Sequence, residues 1–212
     1  MIKCNVTVCG VIGRDASIRT NKEGKTFLVF PLQVMIPDTD GKTMPIEVDV
    51  SKDTAGEEVS NYRNGSRVEV SGTMYLKHRG DKLYFNLFIN EIRTATADAK
   101  DTVKGELVFR GKVGQHIEEK RDKKDQPYTM FSAFSTEKVE DGFEYQWVRF
   151  FCFGKEREAW LQPGVRVDAK GEITLSAYNG KVNVSCKVEE LVQYVADIKN
   201  STRTGRTAKI KH

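Results

Sequence analysis

Residues 147 to 155 read WVRFFCFGK. In a β-strand successive side chains point to opposite faces, so Trp147, Arg149, Phe151 and Phe153 share one side while Val148, Phe150 and Cys152 share the other. Both sides carry large apolar groups, although a strand of a small sheet ordinarily buries one face and wets the other. An indole, two phenyl rings and a guanidinium on the second face, followed by Lys155, are groups that hold a ligand by stacking and charge.

Bond-making chemistry is poorly provided. Only His78, His116 and His212 are available, with no H-E-x-x-H, no P-loop and no Cys–His pairing. Asp38-Thr39-Asp40-Gly41 lacks the later carboxylates of a calcium loop, and a D-G hairpin turn explains it better. The cysteines at 4, 9, 152 and 186 have no CxxC spacing, and Cys4 and Cys9, five apart on one strand, cannot readily share a metal. Buried free thiols in a reducing compartment are expected, with no catalytic residue, no metal and no cofactor.

The elements that must position these groups emerge from the organisation of the chain. Its 212 residues hold one large domain or two of about 100. No apolar run approaches the ~20 residues of a membrane span and MIKCNVTVCG is no signal peptide, so a cytoplasmic protein is expected. The net charge of +4 is concentrated in residues 196 to 212, which carry five Lys and Arg against one Asp, whereas the rest is balanced. ADIKNSTRTGRTAKIKH therefore reads as a flexible basic tail able to contact phosphates.

The chain also matches itself. At an offset of 101, Gly10, Gly13, Phe27, Phe30 and Asp40-Gly41 meet Gly111, Gly114, Tyr128, Phe131 and Asp141-Gly142; at an offset of 99, GSRVEVSG (65 to 72) meets GVRVDAKG (164 to 171). Two copies of one domain are expected at 1–93 and 105–195, joined by a linker at 94–104 and followed by the tail at 196–212.

Each copy alternates as strands do: Leu28, Phe30, Leu32, Val34; Ile46, Val48, Val50; Val68, Val70; Leu83, Phe85, Leu87, Ile89. Five strands are expected per copy. A short helix is expected between the third and fourth, in DTAGEEVSNYRNG and KEREAWLQPG, with Trp160 there for packing. The fold class is all-β, two tandem five-stranded OB barrels.

With FRGKVGQ, FSAFS, WVRFFCFGK, LQPGVRVDAKGE and VEEL in one half, and VCGVIGRDASIRT, FPLQV, YRNGSRVEVSG and INEI in the other, the sequence resembles the bacterial and phage single-stranded DNA-binding protein family, written twice. The resemblance covers about nine-tenths of the chain. It implies that Trp147, Phe151, Phe153 and, in the hairpin SAYNGK, Tyr178 stack on unpaired bases, while Arg149 and Lys155 meet phosphates. Lys120, Arg121, Lys123 and Lys124 of the first-to-second-strand loop would extend a cationic rail.

The first copy departs from that pattern. With Ile46, Val48 and Val50 in its core, the sequence places Glu47, Asp49 and Ser51 at the positions of Arg149, Phe151 and Phe153, and carboxylates there repel phosphates. It offers instead Tyr75, Lys77, Arg79, Tyr84 and Phe88 on its last strands, and Arg14, Arg19, Lys22 and Lys25 in its first loop. Weaker binding, another surface, or a role in assembly is expected of it.

The resemblance thus implies a protein, not an enzyme, that coats single-stranded DNA without strong sequence preference in replication, recombination or repair. A homodimer would bring four OB folds together. The chain ends TRTGRTAKIKH where the family commonly has an acidic tip, so recruitment of replication enzymes by such a tip is not expected, and a phage or mobile-element setting is. The alternatives are an RNA-binding or a protein-scaffold OB module, since ring stacking does not itself distinguish DNA from RNA.

Overall fold

The computed structural model describes residues 2–54, 59–80, 82–140, 142–154 and 156–195. The first copy forms β1 (Ile2–Ile12), β2 (Ser17–Thr20), β3 (Thr26–Pro37), β4 (Thr43–Asp53), β5 (Arg67–Arg79) and β6 (Lys82–Thr94). The second forms β7 (Thr102–Arg121), β8 (Pro127–Val139), β9 (Gly142–Phe153), β10 (Arg166–Tyr178) and β11 (Lys181–Gln193). The alternating apolar side chains turn inward as their period requires, from Leu28, Phe30, Leu32 and Val34 on β3 to Val148 and Phe150 on β9.

Each copy closes on itself. The first runs β1-β3-β4-β6-β5 and back to β1, the second β7-β8-β9-β11-β10 and back to β7. All pairings are antiparallel except β4 with β6 and β9 with β11. Five strands in this order, with one parallel contact, make each copy an OB barrel. Matching register shifts, at Ser71/Gly72 and at Lys170/Gly171, bend the fourth strand of each copy over its fifth.

The link between the third and fourth strands differs from expectation. Among the described residues, Val59–Asn61 of the first copy is one 3-10 turn and residues 156–164 of the second make turns only, residues 55–58 and 155 of the expected helices lying outside the described residues. Pro163 limits the second segment, since its ring cannot sit in a helix interior. Trp160 is half-buried and packs against the core, as does Tyr62 of the first copy.

The copies are joined by main-chain hydrogen bonding. The N-terminal part of β1 pairs antiparallel with β7, Lys3 opposite Val108, Asn5 opposite Glu106 and Thr7 opposite Lys104. Under the repeat offset of 101, Lys104 is the counterpart of Lys3 and Val108 of Thr7. The register therefore reads the same from either copy and is centred on the Asn5–Glu106 pair. That is the self-complementary relation of a two-fold interface, written within one chain. The pairing fills two strand edges, and the buried side chains of both barrels form one continuous core.

Between β6 and β7, Asp101 fastens the connection. One of its carboxylate oxygens accepts from the Met35 amide at 2.7 Å and the other receives the Arg67 guanidinium, in a pair only partly open to solvent. None of the four cysteines forms a disulfide among the described residues, and all but the half-buried Cys152 are buried. Burial pushes the Cys4 and Cys186 thiols up to about 12, so both stay protonated at neutral pH.

Candidate functional site

The outer face of the second barrel is a ladder of rings. Along β9 the alternate residues Phe143, Tyr145, Trp147 and Phe153 keep 46 to 60 % of their surface open, values incompatible with a core role, and Phe151 is half-buried between them. The neighbouring β8 sets Tyr128 opposite Phe153 and Phe134 opposite Trp147. Ring centroids are 4.9 Å apart for Phe134 and Trp147, 5.4 Å for Phe134 and Tyr145, 5.2 Å for Tyr128 and Phe153, and 6.2 Å for Phe151 and Phe153. These separations hold each ring at the edge or face of another, so the platforms are pre-oriented. The eleven residues from 143 to 153 span ~33 Å of strand, ten steps of about 3.3 Å.

Gly114 explains the seat of the indole. A Cβ at this position of β7 would lie 3.0 Å from Trp147 Cζ3, so hydrogen in its place lets the ring settle over the strand. Tyr178 is exposed at the end of β10, before a two-residue turn in which Asn179 and Gly180 both have positive φ. Asn-Gly suits that turn, which projects the phenol from the rim.

Cations lie among the rings. Arg149 is exposed on β9 opposite Ser132 and beside Ser185; Lys187 lies beside Phe151, and Lys112 is opposite Phe134. Lys120 is opposite Tyr128 but pairs with Glu118 at 2.5 Å. That hydrogen bond holds the Glu118 carboxyl below its usual range and raises the Lys120 ammonium. A phosphate would have to displace a carboxylate to use this lysine. Arg121 donates to the Asp125 carbonyl at 2.9 Å, while Lys123 and Lys124 are exposed in the same turn. Lys155 and residues 196–212 lie outside the described residues.

In the first copy the same face has different chemistry. Glu47 is opposite Gln33, and Asp49 is beside Asn86; the corresponding pairs of the second copy are Trp147 with Phe134 and Arg149 with Ser185. The carboxylates therefore replace Trp147 and Arg149, one step of two residues from the placement expected from sequence. The hairpins account for the slip: thirteen residues lie between Gln33 and its partner Glu47 but twelve between Phe134 and its partner Trp147, and loop length sets register.

The first copy's rings stand on its last two strands. Tyr75 meets Phe88 edge to face at 6.3 Å, Lys77 is opposite Tyr84, and the Tyr84 ring lies beneath Arg79 and Lys82 at 5.9 and 5.2 Å. Arg14 and Arg19 line a separate groove with Asp49, Ser51 and Asn86. Lys25 pairs with Asp53 at 2.7 Å and lies over the Phe27 ring, and Lys22 is exposed nearby.

A cleft of about 860 Å³ brings the copies together at one place. The first lends it Glu47, Asp49 and Tyr84, the second Trp147, Arg149 and Phe151. No group of three or more metal-ligating side chains occurs among the described residues. Of the residues not anticipated from sequence, Phe143 and Tyr145 extend the alternation of Trp147 toward the N-terminus and were detectable by counting. Tyr128, Phe134 and Lys187 join the site only through cross-strand pairing, which no local pattern reveals.

No family model and no curated protein matches the sequence. Among solved structures the chain is similar to a deletion mutant of the single-stranded DNA binding protein from Thermus aquaticus, at 12 % identity and a TM-score of 0.46, covering 95 % of this chain and 98 % of that one. It is similar also to the N-terminal domain of PriB from Thermoanaerobacter tencongensis (22 % identity, TM-score 0.31) and to the SSB of Plasmodium falciparum in complex with ssDNA (18 %, 0.34). Each of these covers 43 % of this chain, and the alignment spans 97 % and 95 % of the respective partner chains.

Proposed function

We propose that this protein binds and coats single-stranded DNA with little sequence preference, keeping it unpaired during replication, recombination or repair. The observation that carries the reading is the exposed ring ladder of β8 and β9, interleaved with Arg149, Lys112 and Lys187. Unpaired bases offer flat faces of any sequence, and each stacked base contributes roughly 1 to 3 kcal/mol, while cations follow the phosphates. The motif resemblance of the sequence supports the same reading. In it the second copy is the principal platform, and the first, with carboxylates in place of Trp147 and Arg149, contributes Tyr75, Tyr84 and Phe88.

Titration of the full chain with labelled oligo(dT) of increasing length tests this. Binding should tighten in steps with length and weaken with salt, by a slope of about −0.7 for each phosphate neutralised. Saturable binding to neither deoxy nor ribo oligomers would sink the proposal, and a preference for the ribo series would move it to RNA. A symmetric pair of chains, giving four OB folds, belongs to the same reading. Sedimentation at micromolar concentration should return twice the single-chain mass, and a single-chain mass would remove the dimer.

A further inference from the structure

The cleft between the copies combines groups that a phosphate-binding groove would not contain. Glu47 and Asp49 are exposed on β4, line the cleft with Trp147, Arg149 and Phe151, and have no ion pair or hydrogen bond among the described residues. Gln146, from β9, lines the same space. Its Oε1 is buried and closed to a ligand, and its amide nitrogen donates to the Trp147 carbonyl at 3.1 Å. Two unpaired carboxylates therefore accompany aromatic platforms, a guanidinium and the ammonium groups of Lys82 and Lys181.

An ionised carboxylate can only accept hydrogen bonds, and it repels phosphate. The occupant that satisfies the whole set has a flat face for Trp147, an anionic backbone for Arg149 and donor hydrogens on its edge for the acceptors. An unpaired base with an exocyclic amino group has all three. Cytosine carries such a donor at position 4, where uracil and thymine carry a carbonyl that would oppose a carboxylate.

We infer that Glu47 and Asp49 read bases in this cleft by accepting hydrogen bonds from exocyclic amino groups. The inference rests on the single-stranded DNA reading and adds a graded base bias to it: the sequence-tolerant ladder supplies most of the affinity, and the first copy supplies discrimination. It also gives the acidic strand a use, since its side chains meet base edges while the backbone passes on the Arg149 side.

Oligo(dC) and oligo(dU) of equal length test the inference, because the two bases differ at position 4 and in the proton at N3. Affinities are measured by fluorescence anisotropy for the natural chain and for the double variant Glu47→Thr, Asp49→Thr, both changes being on an exposed strand face that threonine suits. The natural chain should bind oligo(dC) about five-fold or more tightly than oligo(dU), and the variant should bring the ratio close to one. Relief of charge repulsion alone would strengthen both complexes equally and leave the ratio where it was, which overturns the inference. Equal binding of the two oligomers by the natural chain overturns it without any variant. Absence of binding to both oligomers refutes instead the single-stranded DNA reading on which it rests.

Discussion

Trp147→Ala is expected to lower affinity for oligo(dT) by about 1 to 3 kcal/mol, a roughly five- to more than hundred-fold rise in Kd, and to abolish most of the fluorescence quenching that accompanies binding. The side chain is half exposed, and its orientation is fixed by Phe134 on one side and by the bare backbone of Gly114 beneath it. Such a platform gains stacking energy without ordering a mobile ring on binding. The protein has two tryptophans, and Trp160 is half-buried against the core on the connection that follows β9. Trp160 thus supplies a nearly constant background, and the DNA-dependent signal reports Trp147. Because the substitution removes an exposed ring, its thermal midpoint should change little. Quenching and affinity that both survive in a folded variant would remove Trp147 from the binding surface.

The sequence carries much of this architecture because period and repetition are local signals. Leu28, Phe30, Leu32 and Val34, like Ile46, Val48 and Val50, recur at every second position, and both sets are buried. The repeat, visible through Gly10 and Gly111 or Phe30 and Phe131, leads to the expectation of five strands in each copy. What was not legible depended on contacts between distant segments. Sequence alone gives Glu47 the wrong partner position because register depends on the β3–β4 connection, and nothing in IEVDV itself specifies its neighbour across the sheet. The ring ladder was half visible for the same reason: β9 displays its own alternation, but Phe134 and Tyr128 acquire meaning only when β8 is laid beside it. The expected helix rests on the glycine that ends each segment, a signal shared by a chain that merely turns.

The self-complementary β1–β7 junction was the least legible feature, and its weak point is one residue. Gly105 lies opposite Val6, near the centre of the pairing, with φ of +148°. A Cβ there would stand 2.0 Å from the Asn5 carbonyl oxygen and 2.8 Å from Val6 Cα, both backbone atoms that cannot rotate away. Gly105→Ala must therefore bear an unfavourable φ, costing on the order of 1 to 3 kcal/mol, and also force the two strands apart, costing about as much again. Gly24→Ala supplies the control, since Gly24 has φ of +81° but open space around its missing Cβ, and it should show the conformational cost alone. In urea denaturation the Gly105 variant should lose markedly more stability than the Gly24 variant. Because β1 and β7 unite two barrels that are each closed by their own pairings, parting them should also separate one unfolding transition into two. Equal losses for the two variants would mean that the junction yields to a methyl group without resistance. The copies would then be held together by their shared core, and the strand pairing would be incidental to it.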